Sequence, residues 1–137
     1  MEQRVDVAII GAGSAGLYAM GQVKRKTDNF VLIDGGELGT TCARVGCMPS
    51  KALIQVAEDF HRRTLFKRQG IQGGDGLGID DADVLEHVQD LRDIFVDKVL
   101  SSTTDHMGDE FIPAHARFLE HDLLQVDDRQ IRARRIV

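Results

Sequence analysis

The chain has 137 residues, a formal net charge of -5 and 42% hydrophobic residues, which predicts one globular domain with a core of its own. A pI near 5.5 argues against a nucleic-acid partner, because phosphate binding favours a basic face. The short basic run at residues 132–135 is expected at a solvated strand edge. The sequence shows neither a membrane span nor a secretion signal, so we expect a cytoplasmic protein with no membrane contact.

The beginning of the chain predicts a β-α-β unit. Residues 4–10 form a β-rich apolar run that stops at Gly11, as a buried parallel strand would. From Ser14 the apolar spacing becomes helical and leads to a polar segment. Residues 30–34 predict a second strand, joined to the first by a right-handed crossover.

The segment GAGSAG, residues 11–16, has the spacing G-x-G-x-x-G between that strand and that helix. Each glycine has a steric role: Gly11 permits the tight turn, Gly13 lets a pyrophosphate approach the backbone, and Gly16 lets helix and strand pack closely. The N–H groups at the helix start can then hold phosphate oxygens. A turn that serves packing alone is the alternative.

Asp34 strengthens the prediction of a nucleotide site. It closes the second strand about twenty residues after the turn, where a carboxylate accepts hydrogen bonds from an adenosine ribose. The alternative is an Asp that only caps the strand end before two glycines.

The rest of the chain predicts two further helices and a β-rich end. A helix is expected to begin at Pro49 and to carry a stripe of apolar residues as far as residue 60. After a glycine-rich loop at residues 70–79, a long helix is expected from Asp81 to about His106. Three strand-like runs follow, at residues 110–120, 123–127 and 130–137, with a hairpin turn at residues 127–129.

The two cysteines of the chain, Cys42 and Cys47, lie five positions apart. A structural disulfide is improbable in a reducing compartment, and the five histidines show no paired-ligand spacing near the cysteines, so no metal site is predicted. Inert thiols and metal ligands stay open as alternatives. A redox pair is favoured because a helix dipole would stabilise the Cys47 thiolate while Cys42, on the preceding loop, can join it or leave it.

Taken together, the glycine turn, Asp34 and the segment LGTTCARVGCMPSK resemble the FAD-binding start of the flavoprotein disulfide reductases, the family of lipoamide dehydrogenase, glutathione reductase and mercuric reductase. The resemblance implies an α/β fold, a three-layer FAD/NAD(P)-binding (Rossmann-like) domain with a central parallel sheet. Residues 1–137 would be the N-terminal part of that domain, with the NAD(P) and dimerisation domains in a missing part of the parent protein.

The resemblance also implies roles for individual residues. Cys42 would be the catalytic thiol that meets the substrate, Cys47 the catalytic thiol that faces the flavin, and Lys51 a neighbour of the flavin ring. The FAD-binding residues it implies are Gly11, Gly13, Ser14, Ala15, Gly16, Asp34, Gly35, Thr40, Thr41, Cys42, Cys47, Lys51, His115 and Ala116. Thr40 and Arg44 depart from the family pattern, which has glycine and asparagine at those positions.

By this resemblance the parent passes electrons between a dithiol substrate, the Cys42 and Cys47 pair, FAD and NAD(P). The segment PSKAL favours a dihydrolipoamide dehydrogenase-like enzyme, with a small-molecule dithiol or disulfide, or a lipoyl domain, as partner. The alternatives are a mercuric or glutathione reductase-like enzyme and a non-catalytic nucleotide-binding or thiol-switch module. The parent is expected to be a homodimer, and the chain by itself is expected not to turn over.

Overall fold

The computed structural model describes residues 2–137, which group into two compact units. One unit runs from the N-terminus to Thr40 and from Asp97 to Val137, and the other comprises Thr41–Val96. The strands are β1 (Glu2–Ile10), β2 (Phe30–Ile33), β3 (Phe111–Ile112), β4 (Ala116–Glu120), β5 (Leu123–Val126) and β6 (Arg129–Ile136). The helices are α1 (Ser14–Val23), α2 (Thr41–Arg44), α3 (Cys47–His61), α4 (Arg63–Phe66) and α5 (Asp81–Ser102).

All six strands form one sheet in the order β3-β2-β1-β6-β5-β4. Four neighbouring strands run parallel, namely β3, β2, β1 and β6, whereas β5 is antiparallel to both β6 and β4. All four residues of β2 are buried, as expected for an interior parallel strand covered on both faces. The predicted β-α-β unit and central parallel sheet are therefore confirmed, with an antiparallel extension on one side.

The two faces of the sheet carry separate cores. On one face, Ile9, Phe30 and Leu32 pack with Met20 of α1. On the other face, Val31 and Ile33 share a core with residues of the antiparallel strands. Helix α1 thus covers one face of the sheet, and the α/β arrangement with a central parallel sheet that the sequence predicts lies within the first unit.

The second unit is helical, and α5 begins in it and continues past Val96 into residues of the first unit. The helices follow the predicted pattern with shifted ends. Helix α3 buries none of its residues within the described chain, so its apolar stripe stays partly exposed. Helix α5 begins where expected because the Asp80 carboxylate accepts bonds from the N–H groups of Ala82 and Asp83 at 2.9 and 3.2 Å. It ends at Ser102, and a separate 3-10 turn at Thr104–His106 occupies the predicted last part.

The run at residues 110–120 was predicted as one strand and forms two. Pro113 has no N–H for a strand ladder, and the Ala114 N–H bonds back to the Ile112 carbonyl at 2.9 Å. The chain turns there, so that β3 pairs with β2 while β4 pairs with β5 on the opposite side of the sheet. The predicted hairpin turn is confirmed by the positive φ of 51° at Asp127, between β5 and β6.

The expectation of a strand edge at residues 132–135 is wrong, because β6 lies inside the sheet between β1 and β5. Arginines are tolerated there because carboxylates on neighbouring segments pair with them. Arg132 lies 2.6 Å from Asp122, 3.2 Å from Glu120 and 3.4 Å from Glu2. The side chain of Arg132 is only 28% exposed, so these carboxylates hold its pKa above the usual value.

We expect the protein with Asp122→Asn to lose a part of its stability that depends on pH. The hydrogen bond from Arg132 holds the pKa of Asp122 below its usual value. A carboxyl with a lowered folded pKa stabilises the fold above its unfolded pKa of about 3.9 and loses that contribution as pH falls through the folded pKa. Urea midpoints should therefore separate the two proteins at pH 7 and converge toward pH 2. An equally large change in the exposed control Asp128→Asn would contradict this.

Candidate functional site

The glycine turn has the geometry that its spacing predicts. Gly11 has a φ of +104°, a region that side chains disfavour, and its N–H donates to the Ile33 carbonyl at 2.7 Å. A Cβ on Gly16 would lie only 1.8 Å from the Gly11 carbonyl oxygen. Both glycines are therefore required by the protein itself, one for the turn and one for the contact between helix and strand.

Gly13 is different, because a Cβ added there would meet no protein atom within 4 Å. It directly precedes α1, whose start has no side-chain cap and no acidic residue in its first turn. The first hydrogen bond of the helix runs from the Leu17 N–H to the Gly13 carbonyl at 2.9 Å. The N–H groups of Ser14, Ala15 and Gly16 come before it and have no acceptor within the helix. Open space above a glycine beside an uncapped helix start fits a phosphate group.

Asp34 lies directly after β2, and both of its carboxylate oxygens contact backbone. Oδ2 accepts a bond from the Ala12 N–H at 2.6 Å, and Oδ1 accepts one from the Gly36 N–H at 2.7 Å. The structure therefore contains the strand-end cap that was the alternative for Asp34, and adds to it a bond into the glycine turn. Its contact with a ribose stays a prediction.

The segment around His115 lies against the end of β2. A Cβ on Gly35 would lie 2.8 Å from the Ala114 carbonyl carbon and 2.8 Å from the His115 ring, so only glycine allows this approach. Ala116 follows as the first residue of β4. The first unit thus brings together four elements that the resemblance assigns to the FAD site: the glycine turn, Asp34, Gly35 and the segment with His115 and Ala116.

The backbone conformation at Thr40 explains why the family pattern has glycine at this position. It is buried, with 8% exposure, and its φ is +65° directly after Gly39 at +103°. A β-branched residue in the left-handed region is strained, at a cost of roughly 1–3 kcal/mol. Thr40 therefore keeps a backbone conformation that suits glycine.

In the second unit, Cys42 and Cys47 belong to two consecutive helices. Cys42 was expected on a loop, but it lies in α2, a single turn closed by a bond from the Val45 N–H to the Thr41 carbonyl at 3.1 Å. Helix α3 begins at Cys47 and not at Pro49. Proline is accommodated two residues into α3 because first-turn N–H groups have no acceptor within the helix.

Gly46 joins these helices and brings the thiols together. A Cβ there would lie 3.1 Å from the Thr41 carbonyl oxygen, so a side chain would push α2 away from α3. The two cysteines are free, and Cys47 interacts with the Cys42 thiol strongly enough to change its pKa. Two interacting thiols on helices joined by one short connection suit a pair that forms and breaks a disulfide.

The pKa of Cys42 is raised. The largest cause is its side-chain hydrogen bond with Cys47, followed by burial and by the charge of Cys47. The Cys47 backbone N–H and the positive charge of Lys51 act in the opposite direction. Cys42 is half-buried and Cys47 is exposed in this chain.

We expect Lys51→Gln to slow alkylation of Cys42. Lys51 lowers the pKa of Cys42, so removing its charge raises that pKa further and leaves less thiolate at pH 8. The measurement is the pH profile of iodoacetamide modification at Cys42, read by peptide mass, in protein that carries Cys47→Ala in both forms. Lys51→Arg keeps the charge and is the control; equal slowing by both substitutions would contradict the role of charge.

Comparison with known proteins identifies the class to which these features belong. The family model described as pyridine nucleotide-disulphide oxidoreductase matches residues 5–137, so the chain belongs to that family. Solved structures of the Cu(II) complex of HOCl-induced flavoprotein disulfide reductase RclA from Escherichia coli share the fold, with TM-scores of 0.67 and 0.71 at 20% and 18% identity. They cover 96% and 98% of this chain and 26% and 28% of their own.

Individual relatives carry two different names. The chain is 28% identical to a mercuric reductase of Bacillus cereus over 134 residues, which is 96% of this chain and 21% of the relative. It is 29% identical to a dihydrolipoyl dehydrogenase of Pseudomonas aeruginosa over 131 residues, 90% of this chain and 27% of the relative. The chain thus spans about a quarter of the length of these relatives.

Between residues 2 and 137, no three His, Cys, Asp or Glu side chains are grouped so that they could hold a metal ion. Within the same range, none of the helices has the length and apolar character needed to cross a membrane.

Proposed function

We propose that this chain is the N-terminal, FAD-binding and redox-disulfide part of a flavin-dependent disulfide oxidoreductase. The observation that carries the proposal is the pair of free thiols, Cys42 in α2 and Cys47 at the start of α3, in a chain that also has an open glycine turn. Family membership supports an oxidoreductase of this class. A simple nucleotide-binding module has no reason to carry two thiols together with Lys51.

FAD, when bound, would accept the electron pair that the dithiol delivers. The chain's own residues prepare that step. A substrate thiolate attacks the sulfur of Cys42 in the oxidised pair, the Cys42–Cys47 bond breaks, and Cys47 leaves as thiolate. The second substrate thiol then attacks the mixed disulfide, releasing the oxidised substrate and Cys42. The positive charge of Lys51 favours the thiolate form of Cys42 during this exchange.

For the substrate we propose a dihydrolipoyl group, free or on a lipoyl domain, with NAD(P) as the final acceptor. The dihydrolipoyl dehydrogenase relatives and the segment PSKAL support this choice. Mercuric reductase is the second candidate, because a relative of that name is 43% identical over 68 residues, in Streptomyces lividans. We further propose that the parent is a cytoplasmic homodimer whose NAD(P) and dimerisation domains lie outside these 137 residues.

The substrate proposal is tested by steady-state assays of the longest reading frame that contains this chain. NADH formation from dihydrolipoamide and NAD⁺ should exceed NADPH oxidation by Hg²⁺ or by oxidised glutathione. Faster turnover with Hg²⁺ would favour the second candidate. A protein with no flavin absorbance and no activity on any of the three substrates would favour the non-catalytic nucleotide-binding or thiol-switch module instead.

We expect Gly13→Ala to weaken FAD binding and leave the apoprotein as stable as before. The added Cβ meets no protein atom within 4 Å, and the φ of -75° at Gly13 suits alanine. The methyl group would, however, occupy the space proposed for the pyrophosphate, so we expect at least a roughly tenfold loss of affinity, about 1.4 kcal/mol. FAD titration by fluorescence quenching measures the loss. Unchanged affinity would contradict the proposal that the pyrophosphate binds at this turn.

A further inference from the structure

We propose that Asp34 is a positioning residue for the phosphate-binding turn, in addition to any contact it makes with a ribose. This inference rests on the proposed dinucleotide site and goes beyond the role that the sequence motif assigns. The carboxylate of Asp34 accepts from the Ala12 N–H at 2.6 Å, and Ala12 is the second residue of the turn. Short bonds from backbone N–H to a carboxylate are among the stronger protein hydrogen bonds.

The position of Ala12 gives this bond its effect. Gly11, before it, is held by its N–H bond to the Ile33 carbonyl at 2.7 Å. Gly13, after it, accepts the first helical bond of α1. The bond from Asp34 to Ala12 therefore fixes the middle of the turn, between an end tied to β2 and an end that starts the helix.

Burial makes the bond hard to replace. Ala12 is only 3% exposed, so water has little access to its N–H group if the carboxylate is removed. The second bond of Asp34, from the Gly36 N–H at 2.7 Å, holds the carboxylate itself in place. Asp34 thus links the chain after β2 to the turn after β1, and sets the direction of the N–H groups at the start of α1.

A positioning role and a ribose contact predict different ligand dependences. A ribose contact acts on the 2′- and 3′-hydroxyls and is lost equally for adenosine and ADP. Positioning of the turn acts on the phosphates, so its loss affects ADP and leaves adenosine almost unchanged. A carboxylate has about four acceptor positions, so both roles can exist together and must be measured separately.

The experiment compares Asp34→Ala with the unsubstituted protein, using the longest reading frame that contains this chain, freed of flavin. Calorimetric titrations use adenosine, ADP and 2′-deoxy-ADP as probes. We expect Asp34→Ala to lower ADP affinity about tenfold more than it lowers adenosine affinity, since a lost charged hydrogen bond is worth that much. The ratio between ADP and 2′-deoxy-ADP measures any ribose contact separately, and the melting temperature of the apoprotein should fall by about 5 °C.

Asp28→Ala removes the same charge from the exposed segment before β2 and is the control; it should change none of these values. Asp34→Asn, a milder change, repeats the test if the alanine variant does not fold. The inference is overturned if the loss is equal for adenosine and ADP, or if only the melting temperature changes. Absence of ADP and FAD binding in the unsubstituted protein would instead overturn the proposed function on which the inference rests.

Discussion

Gly16→Ala is expected to unfold the glycine turn and abolish FAD binding. The added Cβ would lie 1.8 Å from the Gly11 carbonyl oxygen and 2.9 Å from its carbon, and both are backbone atoms. Gly11 cannot move away easily, because its N–H is tied to the Ile33 carbonyl at 2.7 Å. We therefore expect a destabilisation of about 3 kcal/mol or more, a value typical of forced overpacking and backbone strain.

The same helix offers a matched control. Gly21 also lies in α1, but a Cβ there would meet no atom within 4 Å. Gly21→Ala should therefore stabilise the protein by about 0.5–1 kcal/mol, since alanine is the better helix former. Urea unfolding and FAD titration of both variants measure the effects. If Gly16→Ala were as stable as Gly21→Ala, the close contact between α1 and the turn would not exist.

The glycine turn could be predicted from sequence because its geometry is local. The positive φ of Gly11 and the contact of Gly16 follow from spacing within six residues, between a strand and a helix that are each visible as a pattern. The partner of β3 depends instead on residues far apart in the chain. Residues 110–120 form one apolar run in the sequence. In the structure this run is divided at Pro113 into two strands on opposite sides of the sheet, and that division depends on which other strands have open edges.

The interior position of β6 was missed for a similar reason. A run of three arginines in four residues predicts an exposed edge when the strand is considered alone. The carboxylates that pair with Arg132 come from β1, β4 and the turn after β4, and a single strand gives no sign of them. The expectation drawn from composition, that this run is no nucleic-acid surface, does not depend on that error and stays a prediction.

The sequence indicated the residues of the site better than it did their bonds. It pointed to Asp34 through its distance from the turn, but the bonds to Ala12 and Gly36 use backbone N–H groups, which leave no mark on residue type. Likewise, it predicted a helix start near Cys47 but not the helical turn of Cys42, because four residues are too few to show a period. Gly46, which lets the two helices approach, was visible only as part of the family pattern.

The second large effect is expected on substrate turnover when either cysteine of the thiol pair is replaced. In the full-length enzyme, Cys42→Ser is expected to reduce turnover of a dithiol substrate to the background rate. Serine at this position cannot form the mixed disulfide through which substrate and enzyme exchange electrons. Cys47→Ser should abolish turnover as well, because a Cys42 mixed disulfide would then have no partner thiol within the chain. Loss of turnover alone therefore does not separate the two roles.

The absorbance spectrum separates the two roles. If Cys47 faces the flavin, as the resemblance implies, its thiolate should give long-wavelength absorbance with oxidised flavin in Cys42→Ser, and Cys47→Ser should lack that band. Spectra give a clearer answer than alkylation, because Cys47 is the more exposed thiol of this chain. A band that survives in Cys47→Ser and is lost in Cys42→Ser would reverse the roles, and normal reduction of a disulfide substrate by both serine variants would exclude the redox pair.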